Sequence, residues 1–225
     1  QHGAPPERVF FAPFSVRNEQ FAASSEMRAR HRQTIRTELG LDSDSLIVLF
    51  ASKLIKRKRA DDLIRAFEGL AKRFPFAYLV IVGSGDAEAN LRALAAATVG
   101  ERVRFMGFRN QSQLPVLYAA SDVFVLPADS EPWGLVINEV MAAGIPVVVS
   151  DEIGAAPDLV QDQETGFIYP CGTLDELAKA VGRLLEEPAL RAQMSANAVR
   201  LIRRWDVDEC AQGIVNAARV VTGKK

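Results

Sequence analysis

The sequence predicts an α/β fold built on a doubly wound, six-stranded parallel sheet. Three observations support this prediction: short β-branched runs, helical periods that alternate with them, and polar loops that follow the runs. At 225 residues, with 48% apolar and 24% charged residues, the chain is long enough for one large domain with a sizeable core. The net charge of −1 gives no general attraction to nucleic acid or to a membrane.

The predicted elements alternate along the chain, after an extended segment at Val9–Val16 and a basic helix at Met27–Leu39. The predicted strands are Leu46–Ala51, Tyr78–Val82, Val103–Met106, Val123–Pro127, Pro146–Ser150 and Gly166–Tyr169. The predicted helices between them are Ala60–Phe74, Asp86–Ala97 with Asp86 as its cap, Gln113–Ala120, and a helix from Gly134 that stops at Gly144. Three more helices follow from Leu174 to Val221, with breaks near Pro188 and Asp206. Right-handed crossovers between the strands give a parallel sheet.

The basic helix at Met27–Leu39 has two interpretations. A run of basic residues usually forms a solvated face, here made by Arg28, Arg30, His31, Arg32 and Arg36. The alternative is contact with an anionic membrane surface. No apolar run approaches the roughly 20 residues of a membrane-spanning helix, and the first residues, QHGAPPERV, lack a signal-peptide pattern.

Residues suited to metal or nucleophilic chemistry are few. Cys171 and Cys210 have neither disulfide nor metal-ligand spacing, which favours a reducing, cytosolic setting. The two histidines, His2 and His31, are too few for a His-rich metal site and do not indicate a His-based triad.

The stretch from Ser121 to Ser150 carries the strongest functional signal. Its helix is apolar on nearly every face, yet Glu131 lies just before it and Glu139 about one and a half turns inside it. A carboxylate in such a helix costs several kcal/mol, about 2–7 by transfer estimates for polar groups, unless something compensates it. One interpretation is that Glu139 and Asn138 point together through a narrow solvent-facing gap.

The other interpretation is a ligand site, because open α/β sheets bind ligands at the carboxyl ends of their strands. The backbone amides of Gly134, Leu135 and Val136 would face an anion, with the helix dipole behind them. Glu139 could accept hydrogen bonds from both hydroxyls of a vicinal diol. A phosphate at the helix start and a ribose beside it indicate a nucleotide.

The residues EPWGLVINEVMAAGIPVV, with Glu131 and Glu139 separated by seven positions, resemble the signature of the retaining GT-B glycosyltransferases of family 4, the glycosyl transferases group 1. The resemblance continues from about Leu46 to Arg204. It includes Gly154–Val160, where Asp158 replaces the family's usual Glu. Leu114 and Tyr118 match a family pattern and are expected to pack structurally.

The resemblance implies roles for residues after four strands. In SKLIKRKRADD the resemblance assigns diphosphate contact to Lys53 and Lys58. Lys53 stands where the family usually has Arg, and Arg59 stands where it usually has Gly. Taken alone, this run of charged residues would be a solvated face. Gly83 and Gly85 match a Gly-x-Gly turn that contacts the donor, or that simply makes a tight turn. Phe108 and Arg109 would line the base pocket, although an aromatic here could equally fill the core. Glu131 would approach the transferred sugar, the amides of Gly134, Leu135 and Val136 would hold sugar or phosphate oxygens, and Glu139 would take the ribose.

The implied protein is a cytoplasmic glycosyltransferase, with catalytic contributions from Lys53, Lys58 and Glu131. Its donor would be a UDP-, GDP- or ADP-sugar and its acceptor a glycan or lipid, as in polysaccharide or lipopolysaccharide synthesis. No cofactor or metal is implied, since lysines and a helix start can neutralise a diphosphate, and no nucleic acid partner is expected. A peripheral position on the inner face of a membrane is a further expectation.

In domain terms, residues 1–45 would lead in from an interdomain linker and residues 46–225 would form the donor-binding domain. The N-terminal acceptor domain of a GT-B enzyme would be absent, so that this chain alone would bind donor weakly and not catalyse transfer. Two alternatives stay open: a non-catalytic nucleotide-sugar-binding or interaction module, and a GT-B-fold sugar-nucleotide epimerase.

Overall fold

A computed structural model describes residue 3 and residues 5–223 of the chain. The described residues form a six-stranded parallel sheet in the order β3-β2-β1-β4-β5-β6, which confirms the predicted fold class. Its strands are β1 (Leu46–Ala51), β2 (Ala77–Val82), β3 (Val103–Gly107), β4 (Val123–Leu126), β5 (Val147–Ser150) and β6 (Gly166–Tyr169).

Helices connect the strands and cover the sheet. They are α1 (Ser25–Leu39), α2 (Ala60–Arg73), α3 (Glu88–Thr98), α4 (Leu114–Ala120), α5 (Leu135–Ala142), α6 (Ala156–Leu159), α7 (Leu174–Glu186), α8 (Pro188–Ile202) and α9 (Val207–Thr222). Among the described residues no helix is both long and apolar enough to cross a membrane.

The central strands are apolar because helices cover both of their faces. Every residue of β1, β4 and β5 is buried, and their sequences LIVLFA, VFVL and VVVS read as continuous apolar runs. Such runs are typical of parallel strands that are buried on both sides. The same runs predicted these strands from the sequence.

The predicted helices differ from the structure in two details: the cap of one helix is wrong, and one short helix was missed. Asp86 is not the cap of α3; Ala87 takes that position, and its amide donates to the Leu54 carbonyl at 2.9 Å. This bond joins two loops, so the local capping pattern could not reveal it. The one-turn helix α6 was not predicted.

The basic helix α1 is tied to the domain, and the prediction of a solvated basic face is wrong for three of its arginines. Arg28 donates to the Ala143 carbonyl at 2.5 Å. Arg32 and Arg36 both pair with Asp122, at 2.6 and 3.1 Å. Only 2% of Arg36 is exposed, while Arg30 is exposed and pairs with Glu26 one turn away.

Asp122 links α1 to the middle of the sheet. Besides the two arginines, its carboxylate accepts the Ile47 amide at 2.8 Å, and its own amide donates to the Ile47 carbonyl at 2.9 Å. The residue therefore fixes the amino end of β4 against β1 and compensates the buried guanidinium of Arg36.

We expect Asp122→Ala to lower the free energy of unfolding by about 3–5 kcal/mol, because removing one partner of a buried ion pair leaves the other charge uncompensated. Glu26→Ala removes an exposed ion pair from the same helix and should cost under about 1 kcal/mol. Urea unfolding of both variants measures the difference. Equal costs would show that Asp122 does not stabilise the buried arginine.

Candidate functional site

A cleft of about 480 Å³ opens at the carboxyl edge of the sheet. Loops after β1, β2, β3 and β4 form its walls, together with the first turns of α4 and α5. The cleft contains every candidate residue from the sequence except Gly85: Lys53, Lys58, Gly83, Phe108, Arg109, Glu131, Gly134, Leu135, Val136 and Glu139.

The loops after β1 and β2 are joined by their backbones. The Ser52 amide donates to the Val82 carbonyl at 3.1 Å, and the Leu54 amide to the Ser84 carbonyl at 3.0 Å. Gly83 lies so close to this loop that a Cβ there would stand 1.9 Å from the Ser52 carbonyl oxygen. Gly85 lies against the Leu54 backbone outside the cleft, so its structure fits the tight-turn interpretation.

The two candidate lysines have different environments. Lys53 is exposed in the cleft, and within the described part of the chain it joins no ion pair. Lys58 is only 6% exposed and contacts the Glu131 carboxylate. Burial, followed by the charges of Arg57 and Lys53, lowers the pKa of Lys58 to about 8. Lys58 therefore stays mostly protonated at neutral pH and can neutralise an anion.

Arg57, the residue before Lys58, holds the loop that carries Glu131. Arg57 donates to the Ser130 carbonyl through its guanidinium, and its own carbonyl accepts the Asp129 amide at 2.9 Å. Its guanidinium also lies 4.0 Å from Glu131. The loops after β1 and β4 are thus fixed to each other beside the Lys58–Glu131 pair.

Arg59 does not crowd the cleft. Its φ of 49° is in the left-handed region that favours glycine, the residue the resembled family has here. Its guanidinium turns away to Asp62, at 2.6 Å, and lies 3.8 Å from Asp129. The change from the usual glycine therefore leaves the cleft open.

Helix α5 points its first turn at the cleft. Its N-cap is Gly134, and no side chain caps it. The first amides of an α-helix have no intrahelical partners and carry the positive end of the dipole. Since Leu135 and Val136 line the cleft, an anion bound there would meet these amides.

Glu139 and Asn138 point in different directions, so the solvent-gap interpretation is wrong. Asn138 is fully buried; its amide group donates to the Phe14 carbonyl at 3.1 Å and accepts the Trp133 indole N–H at 3.0 Å. Glu139 instead lines the cleft, where the Tyr118 hydroxyl donates to it at 2.7 Å. Burial raises the pKa of Glu139, and the bond from Tyr118 opposes that rise.

The far end of the cleft carries Phe108 and Arg109. Phe108 is 72% exposed, so the core-filling interpretation is wrong, and its ring is available to a flat ligand group. Arg109 lines both this cleft and a neighbouring pocket, and its guanidinium forms an ion pair with Glu38 of α1, which lines only the neighbouring pocket. An exposed aromatic ring suits a nucleobase, which can stack on it.

The structure also shows what the sequence did not. Leu114 and Tyr118 line the cleft as well as packing in the core. Asp158 is exposed on α6 and does not line the cleft. Two Asp-x-Asp triplets, a pattern whose carboxylates could bind a metal ion, lie outside the cleft. Residues 42–44 precede β1 at the opposite edge of the sheet, and Asp206 of residues 206–208 is the N-cap of α9.

Residues 31–200 match the family model described as glycosyl transferases group 1. The chain is 35% identical over 212 residues to a GDP-mannose-dependent alpha-(1-6)-phosphatidylinositol monomannoside mannosyltransferase of Mycolicibacterium smegmatis, covering 91% of this chain and 53% of the relative. The chain spans about half the length of the relatives it matches.

Two solved structures share the architecture. HepE of Anabaena, solved in complex with UDP and glucose, superposes with a TM-score of 0.79 at 27% identity over 91% of this chain and 55% of its own. The C-terminal domain of a glycosyl transferase group 1 protein, LpcC of Francisella tularensis, has the same fold with a TM-score of 0.74 at 22% identity, over 84% of this chain and 96% of its own.

We expect Gly83→Ala to lower the free energy of unfolding by about 1–3 kcal/mol, since its Cβ would overlap the Ser52 carbonyl and force the two loops apart. Gly69→Ala in α2 is the matched control: its Cβ meets no atom within 4 Å, and alanine favours a helix by up to about 1 kcal/mol. Urea unfolding compares the two. A Gly83→Ala variant as stable as the parent would contradict the close packing of these loops.

Proposed function

Because this chain belongs to the glycosyl transferases group 1 family, we propose that it is the donor-binding domain of a retaining GT-B glycosyltransferase of family 4. The enzyme transfers a sugar from a nucleoside diphosphate sugar to a glycan or lipid-linked acceptor. The observation that carries the proposal is that one cleft contains two lysines, the start of helix α5, a carboxylate about a turn and a half inside that helix, and an exposed aromatic ring.

In this proposal the diphosphate binds between Lys53, Lys58 and the first amides of α5. Negative charge grows on the leaving diphosphate as the glycosyl–phosphate bond breaks. Cations and amides already fixed in place stabilise that charge without reorganising. The buried position of Lys58 strengthens its effect, because water screens it less. These groups supply the neutralisation for which other enzymes use a metal.

Glu131 has a positioning and electrostatic role in the proposal. Its contact with Lys58 holds its carboxylate beside the lysine that is proposed to bind the diphosphate. The front-face route that is usually drawn for retaining enzymes of this family needs no enzyme nucleophile. We therefore assign no covalent intermediate to Glu131.

Glu139 binds the ribose and the loop with Phe108 and Arg109 binds the base. The relatives include a GDP-mannose-dependent mannosyltransferase, and HepE was solved with UDP. The base could therefore be uracil, guanine or adenine. A second, N-terminal domain supplies the acceptor site in the proposal, and this chain alone binds donor weakly and does not catalyse transfer.

Calorimetric titration of the chain with UDP, GDP and ADP tests the proposal. One nucleotide should bind, and Lys58→Ala and Glu139→Ala should each weaken it by about tenfold or more, since each removes a charged hydrogen-bond partner. Arg30→Ala, on the exposed side of α1, is the control and should bind like the parent. If one nucleotide binds but both site variants bind it unchanged, the cleft is not the donor site.

The nucleotide affinity should fall as pH rises through about 8. A bound diphosphate favours protonated Lys58, so its pKa is higher in the complex than the value of about 8 in the free protein. Binding therefore takes up a proton above pH 8 and weakens there, by at most about tenfold per pH unit. Lys58→Arg stays charged throughout and should show no such fall. A flat profile between pH 7 and 9.5 in the parent would contradict this role.

A further inference from the structure

Tyr118 reaches Glu139 from the neighbouring helix α4. It is only 1% exposed, and its ring packs against Phe21 with 6.0 Å between the ring centres. Its hydroxyl is at the wall of the cleft and donates to Oε2 of Glu139 at 2.7 Å. A tyrosine held this tightly by packing presents its hydroxyl at one place.

Tyr118 leaves part of the Glu139 carboxylate free. Within the described residues, the Tyr118 hydroxyl is the only hydrogen-bond partner of the Glu139 side chain. An ionised carboxylate has about four acceptor positions on its two oxygens. One position on Oε2 is used, so Oε1 has no hydrogen-bond partner among the described residues, and Glu139 lines the cleft. Two neighbouring hydroxyls of a ligand can then be accepted by a carboxylate that is already oriented.

We propose that Tyr118 is a positioning residue that fixes Glu139 for the two ribose hydroxyls and thereby sets the preference for a ribonucleotide over its 2′-deoxy counterpart. The proposal rests on the proposed function, since it assumes that Glu139 binds ribose. Tyr118 does not itself contact the ligand in this proposal. Its effect should be felt only through Glu139.

Tyr118 also affects the pKa of Glu139. Burial raises the pKa of Glu139, and a donor to the carboxylate opposes that rise. Tyr118→Phe keeps the ring and removes the donor, so the pKa of Glu139 should rise further. The ionised form accepts both hydroxyls, so affinity is lost as pH falls through this pKa, and in the variant it is lost at a higher pH. The other charged groups of the cleft, Lys53, Lys58, Arg109 and Glu131, are unchanged between the two proteins.

The test is calorimetric titration with whichever of UDP, GDP and ADP binds, and with its 2′-deoxy counterpart. The parent should bind the ribonucleotide at least about tenfold more tightly. Tyr118→Phe should reduce that preference by about tenfold, leave the affinity for the 2′-deoxynucleotide nearly unchanged, and shift the acidic limb of the affinity profile to higher pH. In a Glu139→Ala background the same substitution should have no further effect.

Tyr169→Phe is the matched control. Tyr169 is also buried, but its hydroxyl has no hydrogen-bond partner among the described residues and it does not line the cleft. Removing this hydroxyl should change neither the preference for ribose nor the pH profile. The control separates the loss of a buried hydroxyl from the loss of the bond to Glu139.

Four outcomes would overturn the inference. Equal loss of affinity for both nucleotides, with no shift of the acidic limb, would mean that Tyr118→Phe acts only by loosening the fold. An unchanged Tyr118→Phe variant beside a weakened Glu139→Ala variant would remove Tyr118 and leave the proposed function standing. A Glu139→Ala variant that binds like the parent beside a weakened Lys58→Ala variant would remove the ribose contact and this inference, and would leave the proposed donor site standing. No binding of any of the three nucleotides would remove the inference and the proposed function together.

Discussion

The cleft depends on the separation of β1 from β4 toward their carboxyl ends. β1 pairs with β2 along all six residues, but with β4 at only two positions, Val48 to Val123 and Leu49 to Phe124. At the amino end Asp122 clamps the two strands through the backbone of Ile47. At the carboxyl end the loop after β1 instead follows β2, so the space before α5 stays open. The sheet order reverses at this pair of strands, which is where open α/β sheets bind ligands.

The two carboxylates of the cleft have different partners, and this gives them different chemical roles. Glu131 contacts a cation, Lys58, which also lies near the charges of Arg57 and Lys53, so the cations there outnumber this carboxylate. Glu139 has a neutral donor, Tyr118, and burial raises its pKa. A neutral donor orients a carboxylate without satisfying its charge, so Glu139 gains more from ligand hydroxyls than a carboxylate already paired with a lysine. The site therefore offers a cluster of cations around Lys58 for an anion and a separate acceptor, Glu139, for hydroxyls.

The sequence predicted the features that depend on local pattern and missed those that depend on distant partners. The apolar runs located all six strands, and the order of the loops brought the candidate residues to one edge because parallel strands end together. Arg36 looked like a surface residue, since nothing nearby in sequence shows that it meets Asp122. Asn138 and Glu139 looked alike for the same reason: their partners, Phe14 and Tyr118, lie on other segments. Side-chain partners across the fold leave no periodic signal.

An aromatic cluster connects the site to both sequence ends of the fold. Trp133, between Glu131 and α5, stacks on Trp205 with 5.4 Å between ring centres and lies 4.9 Å from the Phe14 ring. Phe11 meets Trp205 edge-on at 5.2 Å. The Asn138 side chain completes the connection, because it bonds both Trp133 and the Phe14 backbone. The segment before α1 and the turn before α9 therefore fix the start of α5, whose amides face the cleft. Neither segment belongs to the sheet, so the cluster supports the start of α5 by contacts separate from the strand pairing.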